Sequence, residues 1–183
     1  RGSCAERVLR ASPSPLLLAN PFALGDTAPR SEARFRRILV ALDGSETGAS
    51  ILPLVADLAR LYEAEVVLLH VVEIPVVDYP VGVFLLTDEE AIAMLERLRP
   101  RLPGIAVRTK ASMGLPALRI VDAAREEGAD LVALATHGRA GIARWAFGSV
   151  AEQVVRHCPV PLLVHRAVVP EGAESEKPAA SVP

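Results

Sequence analysis

The chain has 183 residues, 51% of them hydrophobic and only 4% aromatic, with a mean hydropathy of +0.32, which fits one domain with tails around an aliphatic core. A formal net charge of −2 and a pI near 6.1 exclude a global attraction to nucleic acid or to an anionic membrane. No apolar run approaches the ~20 residues that a membrane span requires.

Residues 1–34 are rich in Ala, Ser, Pro and Arg without a sustained period, and are expected to form a poorly ordered extension. The run Leu16-Leu17-Leu18-Ala19 inside it is flanked by prolines and is too short for a secretory segment. The domain proper is expected over 35–168. It opens with Ile38-Leu39-Val40-Ala41-Leu42, a strand apolar on both faces, and the turn Asp43-Gly44-Ser45. A helix over 46–62 carries Ile51, Leu54, Val55, Leu58 and Leu61 on one stripe. A second strand over 66–72 leads into a long apolar connection, 73–87, of a length that suits a lid or an interaction surface.

Thr87 with Glu90 makes a capping box for a helix over 88–102. A weaker, alternating strand over 105–111 belongs at an edge. The next helix, 115–127, has Pro116 in its first turn and Gly128 just past its end. A strand over 131–135, a helix over 149–157 and a strand over 160–165 complete the domain. Residues 169–183 are Glu, Ala, Ser, Lys and Pro-rich and are expected to be a disordered tail.

This alternation predicts an α/β fold: an open five-stranded parallel sheet, Rossmann-like, with helices on both faces and strand order 3-2-1-4-5. Such sheets bind ligands where the order reverses, outside the carboxyl ends of the strands. The reversal falls between the first and fourth strands, so the Asp43 turn and the loop after Ala135 should face one crevice.

That loop reads Ala135-Thr136-His137-Gly138-Arg139-Ala140-Gly141 and ends at Phe147-Gly148-Ser149. Glycine amides, a helix N-terminus and the charge of Arg139 together suit a phosphate. A plainer reading makes Ser149 and Glu152 a capping box, and Asp43 a turn former. Neither the P-loop pattern nor G-x-G-x-x-G occurs. His137 lacks a paired acid or nucleophile and suits backbone positioning better than base catalysis. His70, ending an apolar run, reads as a half-buried structural histidine. Trp145 beside Arg144 either anchors the loop or marks a partner surface. Cys4 and Cys158 are too few and too isolated for a disulfide framework or a zinc site, which points to a reducing, cytoplasmic setting.

In these segments the chain resembles the universal stress protein family, whose nucleotide-binding members carry G-x2-G-x9-G-[ST] after the fourth strand. Gly138, Gly148 and Ser149 match in spacing, and Ala135 stands where the first glycine would be. The resemblance runs from Arg36 to Arg166, through the Asp43 turn, Gly114-Leu115-Pro116 and Pro161-Leu162-Leu163-Val164. It implies that Ala41 and Val71 line an adenine slot and that Asp43 holds ribose or a phosphate-bound Mg. Gly138, Arg139, Gly148, Ser149 and Val150 would wrap the phosphates of ATP, ADP or AMP, with Ala135, His137 and Gly141 in the same segment. A methyl group at residue 135 excludes positive φ and narrows the approach to a ligand.

The strand over 160–165 would leave a hydrophobic edge in a monomer, and pairing with a symmetry mate would make a two-fold homodimer. The resemblance implies the same. Three functions remain open at this stage. One is an adenine-nucleotide-binding dimeric stress regulator with an unidentified protein partner. Another is slow ATP hydrolysis or nucleotidyl or phosphoryl transfer at the same site. A dimeric interaction module without nucleotide is the third.

Overall fold

The computed structural model describes residues 12, 14–19, 34–73, 87–138 and 148–168. Among the described residues there are six strands: β1 (Leu16–Leu18), β2 (Arg37–Leu42), β3 (Glu65–Val72), β4 (Val107–Met113), β5 (Leu131–Gly138) and β6 (Leu162–Val168). The helices are α1 (Glu46–Ala49), α2 (Leu52–Tyr62), α3 (Asp88–Glu96), α4 (Pro116–Glu126) and α5 (Ser149–His157). They form one sheet ordered β1-β6-β5-β2-β3-β4. The five strands β2 to β6 are parallel and stand in the expected order.

Central strands are apolar on both faces because both faces are covered. Ile38, Val40, Val66, Leu68, Leu131 and Ala133 pack with α1, α2 and α3 on one side. Leu39, Val67, Leu69, Val132 and Leu134 pack with α4 and α5 on the other.

Four expectations need correction. The helix expected over 46–62 is two helices, since Pro53 in the first turn of α2 has no N–H to continue a helix arriving from α1. The helix expected over 88–102 stops at Glu96, and Pro100 lies in a separate 3₁₀ turn, Arg99–Arg101. Its start is as expected, with Thr87 accepting from Glu90 N while the Glu90 carboxylate accepts from Thr87 N. β5 runs three residues further than expected, because pairing with β6 continues through Ala135↔His165 to Gly138↔Val168.

The largest correction lies in the extension. Leu16–Leu18 form β1, antiparallel on β6 with Leu17 opposite Leu163. Leu16 and Leu18 pack partly buried on the α4–α5 side of the core, which offsets the cost of ordering so short a strand. The β6 edge is therefore occupied over Leu162–Val164, and is not the bare edge from which a homodimer was argued. Among the described residues, no helix is long and apolar enough to cross a membrane.

At the amino ends of the parallel strands, charge pairing ties the layers together. Glu65 accepts from Arg37 Nε at 2.9 Å and from Arg108 Nε at 2.5 Å. Glu127 accepts from Lys110 Nζ at 2.8 Å and lies 3.0 Å from Arg108 Nη2. Asp130 accepts from the backbone N–H groups of Arg36 and Arg37. Among the described residues, a crevice lies at the opposite end of the sheet.

Candidate functional site

A crevice of about 660 Å³ opens at the carboxyl ends of the strands, where β2 and β5 lie side by side and their following segments diverge. That volume lies within the several hundred Å³ usual for small-molecule sites. Ala41, Leu42 and Asp43 enter from β2 and its turn, and Leu69 to Glu73 from β3. Pro116 and Ile120 of α4 close one side, while Leu134, Ala135 and Thr136 come from β5 and Gly148 to Ala151 from the start of α5. Seven of the expected residues thus share one cavity: Ala41, Asp43, Val71, Ala135, Gly148, Ser149 and Val150. They come from four separate stretches of chain. His137 and Gly138 end β5, and Arg139 and Gly141 lie outside the described residues.

The apolar part of the lining follows from strand alternation. Ala41, Leu69, Val71 and Leu134 lie on the face packed against α4 and α5, and the small side chain of Ala41 leaves room above the sheet. Beside them His70 is buried, with Nδ1 2.8 Å from the carbonyl oxygen of Leu42. A carbonyl only accepts, so Nδ1 carries the proton there. The bond ties the ends of β2 and β3 together, the structural role expected for this histidine.

Asp43 is held by its own turn. Its Oδ1 accepts from Ser45 N at 3.0 Å and from Ser45 Oγ at 2.6 Å, and Ser45 Oγ accepts in turn from Gly48 N at 2.8 Å as the N-cap of α1. Asp43 is thus both the turn former of the plainer reading and a wall of the crevice. Gly48 is a site residue that sequence reasoning missed. A Cβ there would stand 2.3 Å from Asp43 Oδ1, so only glycine leaves the carboxylate in place. The signal was a glycine inside the first helical turn after the Asp43 turn.

The opposite wall is the start of α5. The capping box of the plainer reading does not form: Gly148 is the N-cap, no side chain among the described residues caps the helix, and Glu152 pairs with Arg156 at 2.7 Å. Gly148 has φ −54° and ψ 142°, which any residue adopts, and a Cβ there would meet nothing within 4 Å among the described residues. Uncapped first-turn amides and the positive end of the helix dipole border the crevice, an arrangement that favours an anion. Ala135 sits inside extended β5 opposite His165, so its methyl group strains no backbone.

Among the described residues, no three His, Cys, Asp or Glu side chains gather as a metal cage. A magnesium ion suits this site only as phosphates would carry it, with Asp43 supplying one protein oxygen.

An open parallel sheet with a crevice at its switch point and a helix N-terminus beside it defines the class of doubly wound α/β domains. Comparison with known proteins narrows this. Residues 34–166 match the universal stress protein family, and the chain belongs to it. It is 30% identical over 155 residues to universal stress protein MJ0531 of Methanocaldococcus jannaschii, covering 79% of this chain and 91% of that one. Universal stress protein YxiE of Bacillus subtilis is 28% identical over 147 residues, covering 72% and 99%. Among solved structures, MJ0577 of M. jannaschii superposes with a TM-score of 0.58 at 26% identity, covering 73% of this chain and 97% of that chain. A universal stress protein crystallised in complex with cAMP shares the fold, with a TM-score of 0.56 at 18% identity over 74% and 99%.

Proposed function

We propose that this chain is an adenine-nucleotide-binding regulator of the stress response, holding ATP, ADP or AMP across the crevice between β2 and β5. One observation carries the reading: the uncapped amides at Gly148 and Ser149 open onto the same cavity as the Asp43 carboxylate. In this reading Ala41 and Val71 pack against the base, Asp43 accepts from a ribose hydroxyl or holds a phosphate-bound Mg, and the start of α5 receives the phosphates. Gly138, Arg139 and the rest of the loop complete the phosphate side. The fold neighbour that holds cAMP binds a ligand of the same chemical class.

Regulation rather than turnover suits His70, the histidine of the described lining, because its Nδ1 is committed to the Leu42 carbonyl oxygen. Native mass spectrometry of gently purified protein, followed by calorimetric titration with ATP, ADP and AMP with and without Mg, tests the reading. A retained or titratable adenine nucleotide is expected. No binding of any of the three at millimolar ligand overturns it.

A further inference from the structure

At the mouth of the crevice, strand register brings one residue from each of four strands to a common level. Ala41 of β2 lies opposite Leu69 of β3 and Leu134 of β5, so two residues further on Asp43 stands level with Val71 and Thr136. Thr136 in turn pairs with Arg166 of β6. Alternation along the strands puts Thr136 and Arg166 on the face of Leu134 and Val164, the face packed against α4 and α5. Across the sheet this level therefore reads Val71, Asp43, Thr136 and Arg166. It passes from an apolar side chain through a carboxylate and a hydroxyl to a guanidinium.

That order has the polarity of a nucleotide laid across the strands. Val71, Asp43 and Thr136 line the cavity, and Gly148 to Val150 border it from the start of α5. Neighbouring strands lie about 4.8 Å apart, so the backbone at Thr136 is one spacing from Asp43 and that at Arg166 about 10 Å from it. Arg166 is half-buried and carries its charge on an aliphatic stem long enough to span one strand spacing. A hydroxyl can donate to a phosphate oxygen, and a guanidinium meets a phosphate through paired N–H groups. Thr136 falls on an unspecified position of the G-x2-G-x9-G-[ST] pattern, and Arg166 lies outside it.

We propose that Thr136 binds the first phosphate and Arg166 the outer ones, so that the crevice selects nucleoside di- and triphosphates over monophosphates. The inference rests on the nucleotide reading of this crevice and adds which nucleotides it prefers. With the ribose at Asp43, a single phosphate ends near Thr136 and the start of α5. A second and a third carry the chain on towards β6. The Arg166 charge therefore acts on the longer ligands alone, whereas the amides of α5 and the Thr136 hydroxyl act on every phosphorylated one. Discrimination by phosphate number is thus set by a strand that the glycine pattern does not reach.

Calorimetric titration of the parent chain, Arg166→Gln and Thr136→Val with adenosine, AMP, ADP and ATP tests the proposal. Arg166→Gln should bind ATP about tenfold more weakly than the parent and stay within about twofold of it for AMP and adenosine. Thr136→Val should weaken every phosphorylated ligand and leave adenosine unchanged. Parental ATP affinity in Arg166→Gln, or a loss shared equally by ATP and AMP, overturns the proposal. A thermal melt checks folding, and Arg166→Met, which keeps an aliphatic stem, gives the same comparison should Arg166→Gln unfold. Inorganic tripolyphosphate separates this outcome from the nucleotide reading. If the parent binds no nucleotide but holds tripolyphosphate more tightly than Arg166→Gln does, the nucleotide reading fails and the phosphate role of Arg166 stands. If the parent binds neither, both fail.

Discussion

Gly48→Ala separates the stability of the fold from the readiness of the crevice. The new Cβ would stand 2.3 Å from Asp43 Oδ1 and 3.3 Å from Ser45 Oγ, and the first distance is impossible without movement. The backbone of α1 has no objection, since alanine is preferred to glycine inside a helix by up to about 1 kcal/mol. What moves is the carboxylate at the end of its side chain. Its swing breaks the bonds from Ser45 Oγ at 2.6 Å and Ser45 N at 3.0 Å. Hydrogen bonds to charged groups contribute about 1.5–3 kcal/mol each, but Asp43 is exposed and water replaces much of the loss. Set against the helix gain, the net change in stability is about 1 kcal/mol, a fall in melting temperature of roughly 2–8 °C.

Ligand binding should suffer more. A displaced carboxylate forfeits one charge-assisted hydrogen bond to the ribose or the cation, which corresponds to about a tenfold loss in affinity. Calorimetric titration with ATP alongside a thermal melt measures both, with Asp43→Ala as the reference. Wild-type affinity in a folded Gly48→Ala protein would refute the reasoning, because Asp43 would then have no position to keep.

Further perturbations probe other parts of the same argument. Gly148→Ala fits the backbone at φ −54° and should alter stability by less than about 1 kcal/mol. Its methyl group crowds the uncapped amides, so affinity should fall for ATP and stay unchanged for adenosine, as titration with the two ligands will show. Acid should loosen the amino end of the sheet. The Arg108 guanidinium, with Arg37, holds Glu65 below the ordinary 4.5, and Lys110, with Arg108, holds Glu127 below it too. Folded-state values below the unfolded one mean that this stabilisation is present above about pH 4.5 and is lost as pH falls through the depressed values. Urea midpoints from about pH 6 to about pH 3 should therefore decline, and less steeply in Glu65→Gln, which starts from a lower midpoint. Leu95→Ala empties a fully buried position between α3 and the sheet and should cost about 2–5 kcal/mol in urea unfolding.

Much of the fold was legible in the chain because its signals are local. Ile38–Leu42 and Leu131–Leu134 are apolar at every position, which only a strand covered on both faces requires. Thr87 and Glu90 announce a helix start through bonds spanning three residues. Given alternating strands and helices, the right-handed crossover rule leaves few topologies, and the one expected is present. Asp43, Gly148 and Ser149 could be placed together for the same reason, since the strand order brings their segments to one crevice.

The rest depended on partners far away in sequence. Nothing near Gly48 announces that a carboxylate will occupy the space of its missing Cβ. Ser149 and Glu152 have the spacing of a capping box, yet Glu152 meets Arg156 and the helix N-terminus stays open. Leu16–Leu18 looked like part of an unstructured extension because three residues cannot order themselves. They become a strand only when β6 offers an edge and the core behind it accepts Leu16 and Leu18. Sequence by itself determined which segments are strands and helices and the order in which they pack, through periodicity and caps that act over a few residues. Tertiary structure alone decided which helix end stays open, which glycine guards Asp43 and what lies on the β6 edge. Those choices are made by contacts between residues that meet only after the chain has folded.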